Sequence, residues 1–205
     1  MAKILQFTDQ SAKLEFERVK KRTPSRDEKK GQMNLFTRGG GQVINMPSNL
    51  TPFEVGLVLD ERGDGKASEA YWKAISEGDS IADAYCNLGI LESKAGRTTK
   101  AFDCFTQALK NDPRHFESHF NLGNLYFEVG DYRLARTHYQ LVSEVEPNFP
   151  AVYFNLGLVN AINEDFGTAV DVLMKYKELV PESEGKKADG LLLTLKQSLS
   201  VKGKN

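Results

Sequence analysis

The sequence predicts an all-α protein built from stacked helix–turn–helix repeats, and three observations lead to this fold class. The triplet Asn-Leu-Gly occurs at 87–89, 121–123 and 155–157, with a constant spacing of 34 residues. Prolines at 113, 147 and 181 keep the same spacing and would end three successive helices. A fixed period of this length is typical of units that bury their apolar faces only by stacking on their neighbours.

The unit at 116–149 shows the helix–turn–helix pattern most clearly. Small or apolar residues recur at helical spacing on a first helix, the pair Gly130-Asp131 makes a turn, and a second set recurs on a second helix. The two sets are His119, Leu122, Gly123 and Tyr126, then Ala135, Tyr139 and Val142. Glycine and alanine at the crossing points would let the two helices approach closely.

These residues and their period resemble the tetratricopeptide repeat (TPR) family. The resemblance implies a right-handed α-solenoid with a concave groove, and it is strongest over 82–115, 116–149 and 150–181. A degenerate repeat is predicted at 48–81, where Val55-Gly56 and Gly63-Asp64 imitate the motif and Asp79 replaces the proline. The repeat array is therefore expected to span 48–181.

Residues 182–205 are expected to form a capping helix and a tail. An apolar face recurs at helical spacing after Pro181 and would shield the last repeat from water. The face comprises Ala188, Leu191, Leu192, Leu195 and Leu199. The alternative is an amphipathic helix that docks on a partner or on a membrane surface.

Residues 1–47 form a basic N-terminal arm that is predicted to be flexible. Residues 1–46 hold 10 Lys and Arg against 5 Asp and Glu, whereas the rest of the chain holds 17 against 23. A weakly amphipathic helix is predicted from Thr8 or Asp9 through about Arg22. Two short apolar segments, KILQF at 3–7 and MNLF at 33–36, could cover an apolar groove, within the same chain or by self-association with a neighbour. The alternative is an arm that stays disordered while an external peptide uses the groove.

The repeated asparagines are predicted to point away from the helix-pair core. In the family, this face of each first helix lines the concave groove, so the resemblance implies a ladder of side-chain amides that can hold a peptide backbone. Apolar residues flank the ladder and would add contact area. The predicted peptide-binding groove comprises Asn87, Ile90, Phe120, Asn121, Asn124, Phe127, Phe154, Asn155, Leu158 and Ile162. The alternative role for the asparagines is packing between units or binding water.

A known TPR subclass binds acidic C-termini through a carboxylate clamp, and the sequence lacks that clamp. Phe120 occupies the slot for the first lysine, although Asn124 and Asn155 fit later positions. One unit earlier, Cys86 and Ile90 fill the first pair of slots. The groove is therefore expected to favour apolar or mixed segments over an acidic tail.

No catalytic residue, metal site or cofactor is predicted. His115 and His119 have a spacing compatible with metal ligation, but His119 occupies an aromatic core position and no third ligand stands nearby. Cys86 has no base beside it in its repeat. The two cysteines, the lack of a secretory signal and the absence of a long apolar run favour a cytoplasmic protein that does not span a membrane.

The preferred function is a non-enzymatic protein–protein interaction module or assembly scaffold that binds an extended or helical peptide segment. Two alternatives remain open. The basic arm could associate with nucleic acid, although Asp27 and Glu28 interrupt its positive charges and aromatic interleaving is missing. The chain could also be a regulatory subunit of an enzyme complex whose partner holds the active site.

Overall fold

The computed structural model describes residues 14–20 and 50–202, and all the regular secondary structure within those ranges is helical. The repeats contain α1 (Pro52–Glu61), α2 (Ala67–Glu77), α3 (Ile81–Lys94), α4 (Thr98–Asn111), α5 (Phe116–Glu128), α6 (Tyr132–Val145), α7 (Pro150–Ile162) and α8 (Phe166–Leu179). After them come the short α9 (Glu182–Gly185), a 3₁₀ turn (Lys186–Ala188) and α10 (Asp189–Lys202). The predicted all-α solenoid is confirmed.

The helices pack as four antiparallel pairs, α1 with α2, α3 with α4, α5 with α6 and α7 with α8. Each pair then packs on the next through α2 with α3, α4 with α5 and α6 with α7. This order produces the right-handed stack of a repeat solenoid, in which the first helix of every pair lines one continuous face.

Within each pair, a glycine lies directly against a large side chain of the second helix. An added Cβ at Gly123 would lie 2.4 Å from the Tyr139 ring, which is far inside van der Waals contact. The equivalent pairs are Gly56 with Tyr71, Gly89 with Phe105, and Gly157 with Leu173. The glycine of each Asn-Leu-Gly triplet is therefore required by helix–helix distance.

The degenerate first repeat keeps this geometry although its closing residue differs. Asp79, which stands where the later repeats have proline, accepts a hydrogen bond from the Phe53 backbone N–H at 2.8 Å. This bond satisfies an amide at the start of α1, where helices leave their first donors unpaired. The aspartate thus ties the end of the first repeat to its beginning.

The C-terminal helix caps the array as predicted. Leu192 and Leu195 are buried, and α10 packs on α8. Lys177 of α8 also forms an ion pair with Asp189 at 2.5 Å. The predicted apolar face was one turn too long, because Leu199 is exposed near the end of the helix, where α8 no longer covers it.

Residues 14–20 are extended, so the prediction of a helix through about Arg22 was wrong over this stretch. Only three apolar side chains were available to stabilise such a helix, and the extended form buries two of them, Leu14 and Val19. Val19 joins the core cluster of the first repeats, and Leu14 joins that of the middle repeats. The candidate segments KILQF and MNLF lie outside the described residues.

Candidate functional site: a groove occupied by residues 14–20

The concave face is occupied by residues 14–20, which we call the N-terminal segment. It runs antiparallel to the array, since its later residues contact earlier repeats. Lys20 lines the same cleft as Leu50, so the chain leaves and rejoins the array close to one point. The 29 residues between these two positions are enough to connect them within one chain.

Three asparagines hold the backbone of the N-terminal segment. Asn121 accepts from the Glu17 N–H and donates to the Glu17 carbonyl, both at 2.8 Å. Asn87 makes the same pair of bonds with Val19, at 3.0 and 3.2 Å. Asn124 donates to the Glu15 carbonyl at 2.9 Å. Alternate residues of the segment are therefore bound by their peptide groups, without reference to side-chain identity.

Hydrogen bonds from the array orient these amides. Asn87 also donates to the Tyr71 hydroxyl at 3.3 Å. The Oδ1 of Asn124 accepts from the Tyr139 hydroxyl at 2.7 Å and from Asn155 Nδ2 at 3.0 Å. Asn155 thus supports Asn124 from the next repeat. Fixed amide orientations reduce the entropy lost when a peptide docks.

Side chains of the N-terminal segment fill apolar positions in the groove. The Phe16 ring stacks on Phe105, with centroids 6.2 Å apart and planes 12° from parallel. Val19 is only 1% exposed and belongs to the same core cluster as Ile90. Burial of such side chains contributes about 1.5–3 kcal/mol each.

A buried ion pair anchors the C-terminal half of the N-terminal segment. Arg18 Nη2 lies 2.9 Å from Asp60 Oδ1, and Asp60 is 7% exposed. Burial raises the pKa of Asp60, whereas the charges of Arg18 and Lys94 and a hydrogen bond from Tyr71 oppose that rise. The carboxylate therefore depends on neighbouring cations and donors to stay ionised.

The remaining predicted groove residues lie deeper or further along the array. Phe120 is buried and packs on Phe149, with centroids 4.9 Å apart. It shares a core cluster with Leu14 and Leu158. Phe127, Phe154 and Ile162 are half-buried. Phe120 does not face water, since Leu14 and Phe149 pack in the same cluster.

The histidines and cysteines have structural partners. His115 bonds to Asp83 and to Ser118, at 2.8 and 2.9 Å, and its Nδ1 accepts from the Ser118 backbone to cap α5. This arrangement resembles a catalytic triad, but His115 and Ser118 are fully buried and cannot meet a substrate. His119 bonds instead to His138, at 3.0 Å. Burial raises the pKa values of the Cys86 and Cys104 thiols, which makes both poor nucleophiles.

Sequence reasoning missed Arg18, Asp60 and Tyr71. Tyr71 had a detectable signal, since it shares the aromatic position of the second helix with Tyr139, and both hydroxyls contact groove asparagines. Arg18 and Asp60 lie 42 positions apart in the sequence and have no repeated counterpart that would have linked them. Within the described residues, no helix combines the length and hydrophobicity needed to cross a membrane.

Comparison with known families places the repeats among tetratricopeptide sequences. Models described as "Tetratricopeptide repeat" match residues 82–115 and 104–137, and a model described as "TPR repeat" matches 123–162. Among curated proteins, the BBSome complex member BBS4 of Bos taurus is 26% identical over 134 residues. The small glutamine-rich tetratricopeptide repeat-containing protein 2 of Mycosarcoma maydis is 34% identical over 84 residues.

These matches cover 65% and 41% of this chain, but only 26% and 24% of the two relatives. The chain thus spans about a quarter of their length. Among solved structures, MamA 41-end from Desulfovibrio magneticus RS-1 superposes with a TM-score of 0.57 at 18% identity, covering 72% of this chain and 94% of that one. The first TPR of Spaghetti (RPAP3) bound to HSP90 peptide SRMEEVD gives 0.54 at 21% identity, with 58% and 93% covered.

Proposed function

Because this chain is a tetratricopeptide repeat protein, we propose that it is a non-enzymatic interaction module whose groove holds an extended peptide segment by its backbone. The observation that carries the proposal is the set of five hydrogen bonds from three asparagines to Glu15, Glu17 and Val19. Paired donors and acceptors at alternate residues suit an extended chain.

Burial of the asparagines explains why this groove needs an occupant. Asn87, Asn121 and Asn124 are fully buried under the N-terminal segment. Without the segment these amides would lose their peptide partners and bond to water, giving up a net of about 0.5–1.5 kcal/mol per hydrogen bond. Removal of the segment would also return Val19 and Leu14 to water. An incoming peptide that restored these contacts would regain that free energy.

The N-terminal segment is proposed to act as an internal ligand that a partner displaces. Its tether of 29 residues gives it an effective concentration on the order of mM, so a partner must bind more tightly or arrive at high local concentration. Displacement would couple partner binding to release of the basic arm. The first TPR of Spaghetti (RPAP3), which has a similar fold, is bound to the HSP90 peptide SRMEEVD.

A non-enzymatic role is supported by the chemistry of the described residues. His115 and Ser118 are fully buried, although the Asp83 side chain that bonds to His115 is 17% exposed. No group of three or more His, Cys, Asp or Glu within 14–20 and 50–202 is arranged to hold a metal ion. The groove itself offers amides, aromatic rings and the Asp60 carboxylate, which are binding groups.

Hydrogen exchange of the backbone amides of Glu17 and Val19 tests the proposal. Both N–H groups donate to buried asparagines, so both are expected to exchange at least tenfold more slowly than in a free peptide. Asn121→Ala should accelerate exchange at Glu17 more than at Val19, because Asn87 still holds Val19. The exposed Asn163 provides a control, since Asn163→Ala leaves the groove intact.

Two results would contradict the proposal. Exchange of both amides at free-peptide rates in the unmodified chain would show that the asparagines do not hold the backbone. An equal effect of Asn121→Ala and Asn163→Ala on the Glu17 amide would show that the bonds to Asn121 contribute nothing.

A further inference from the structure

We propose that the groove selects partner segments with an aromatic residue, any residue, a basic residue and an aliphatic residue in that order, and that Asp60 selects the basic one. The inference rests on the proposed function and specifies its ligand. The pattern is the one that Phe16, Glu17, Arg18 and Val19 display in the N-terminal segment.

The argument begins with the charge of Asp60. Its side chain is 4% exposed and its Oδ1 lies 2.9 Å from Arg18 Nη2. An ionised carboxylate buried without a cation is strongly disfavoured. Lys94 adds a second positive charge nearby, but the direct ion pair is made by Arg18. A segment with a neutral residue at this position would leave the carboxylate without its direct cation. A segment with an acidic residue there would repel the carboxylate.

A hydrogen-bonded chain links this charge to backbone recognition. The Tyr71 hydroxyl donates to Asp60 Oδ2 at 3.3 Å and accepts from Asn87 Nδ2 at 3.3 Å. Asn87 in turn holds both peptide groups of Val19. The residue whose backbone Asn87 binds is therefore the one directly after the basic residue. This connection fixes the spacing between the residue that pairs with Asp60 and the residue whose backbone Asn87 binds.

Apolar contacts define the other two positions. Val19 is enclosed in the core cluster of the first repeats, where a β-branched side chain suits extended backbone. Phe16, which lies two residues before the basic position, stacks on Phe105. Glu17 lies between them and is bound by its peptide groups through Asn121, and those bonds place no requirement on its half-buried side chain.

A peptide series measured on one protein background tests the selection. The full-length Arg18→Glu variant weakens the internal segment while leaving every groove residue unchanged. A fluorescent peptide of residues 14–20, LEFERVK, is compared by anisotropy with versions carrying Gln or Glu at the arginine position. The natural peptide is expected to bind at least tenfold more tightly than the Gln version, and the Glu version more weakly still.

A second background identifies Asp60 as the cause. In the full-length Arg18→Glu, Asp60→Asn double variant, the carboxamide remains able to accept from Tyr71 but has no charge. The preference for Arg over Gln is expected to fall to within about threefold. Circular dichroism and thermal unfolding check that both backgrounds retain the fold.

The outcomes separate this inference from the proposed function. Equal binding of the Arg and Gln peptides to the Arg18→Glu chain would overturn charge selection, while the backbone-binding function would stand. An unchanged Arg preference in the double variant would overturn the role of Asp60. Binding of none of the peptides, together with unprotected Glu17 and Val19 amides in the unmodified chain, would overturn both.

Discussion

At the scale of single residues, asparagine occupies positions that are as buried as the core and uses them to bind backbone. Asn87, Asn121 and Asn124 are as buried as the core leucines, yet each donates to a peptide carbonyl of the N-terminal segment. Their amides exchange bonds to water for bonds to backbone, and each such bond contributes a net of about 0.5–1.5 kcal/mol. When the groove empties, the same amides bond to water and this contribution is lost.

The buried histidine pair predicts a loss of stability in acid. Burial lowers the pKa of His138 to about 4, and nearby His119 contributes to the shift. The unfolded chain therefore binds more protons than the folded chain between about pH 6.5 and 4. The free energy of unfolding is therefore highest above about pH 6.5 and falls as the pH drops from about 6.5 to 4. His138 contributes no more than about 3 kcal/mol to this fall.

Urea unfolding at pH 7 and pH 5 measures this effect. The His138→Gln variant removes the titrating ring, so the difference in unfolding free energy between the two pH values should shrink relative to the unmodified chain. His119, whose pKa is also lowered by burial, should leave part of the dependence in place. An identical pH dependence in both proteins would show that His138 titrates normally in the folded state.

The repeat pattern does not reveal the environment of the predicted groove residues. The period placed Asn87 and Asn121 on one face, where the structure has them. Exposure of that face could not be decided from the repeats, because the residues that cover it come from outside the repeat pattern. Asn121→Ala is therefore expected to lower the stability of the free protein measurably, since the Asn121 amide is fully buried and paired.

At the scale of helices, close packing inside each pair sets the tolerance to substitution. Gly123→Ala would place a Cβ 2.4 Å from the Tyr139 ring and should destabilise the protein by about 1–3 kcal/mol. Gly167, in the first turn of α8, has nothing within 4 Å of an added Cβ. Gly167→Ala should be neutral or stabilising by up to about 1 kcal/mol.

Thermal unfolding of the two glycine variants beside the unmodified chain checks this contrast. The two substitutions add the same methyl group to a helix, so intrinsic helix propensity favours alanine in both. Equal melting temperatures would mean that α5 and α6 lie further apart than the structure shows.

The capping helix offers a second contrast at this scale. Leu195 is fully buried against the last repeat, whereas Leu193 is 62% exposed. Leu195→Ala should cost about 2–5 kcal/mol, and Leu193→Ala should stay within about 0.5 kcal/mol. Denaturant unfolding measures the loss of unfolding free energy in each variant. Similar losses in the two variants would show that α10 is not packed on α8.

The extended form of residues 14–20 could not be derived from local sequence. Leu14, Phe16 and Val19 fit a weak helical face as well as an extended strand, so periodicity alone does not decide between the two. The groove decides, because Asn87 and Asn121 bind peptide groups that a helix would have used internally. Tertiary contacts of this kind are absent from any local pattern.

At the scale of the whole molecule, the N-terminal segment joins core clusters that belong to different repeats. Val19 packs with the first repeats and Leu14 with the middle ones. Solenoids otherwise rely on contacts between neighbouring repeats. A bound segment therefore adds contacts across several units, and its release should loosen the array as a whole.

Cutting the tether tests whether the segment belongs to its own groove. A specific protease site introduced between Lys20 and Leu50 converts the segment into a separate ligand after cleavage. The melting temperature of the cut protein should then rise with concentration, by the equivalent of up to about 2.7 kcal/mol for a hundredfold excess over the dissociation constant. The uncut protein with the same insertion should show no such dependence.

Light scattering on the uncut chain completes that experiment. A monomeric mass agrees with a segment docked in its own chain. A dimeric mass that disappears when Val19→Asp disrupts the buried contact would show that two copies exchange segments. If the melting temperature of the cut protein does not change on dilution, the segment adds no stability to the array.

The antiparallel ladder also makes the groove a ruler. Asn87 and Asn121 lie one repeat apart, and the residues they hold, Val19 and Glu17, lie two residues apart. Asn124, on the same helix as Asn121, holds Glu15, two residues further along the segment. The bound chain therefore advances by a dipeptide from one asparagine to the next, about 6.6–6.8 Å of extended backbone. A slip of one residue would turn every side chain over, whereas a slip of two would preserve the backbone bonds and move only the side chains. Footprint length is thus graduated in dipeptides, with one graduation for each further asparagine that joins the ladder.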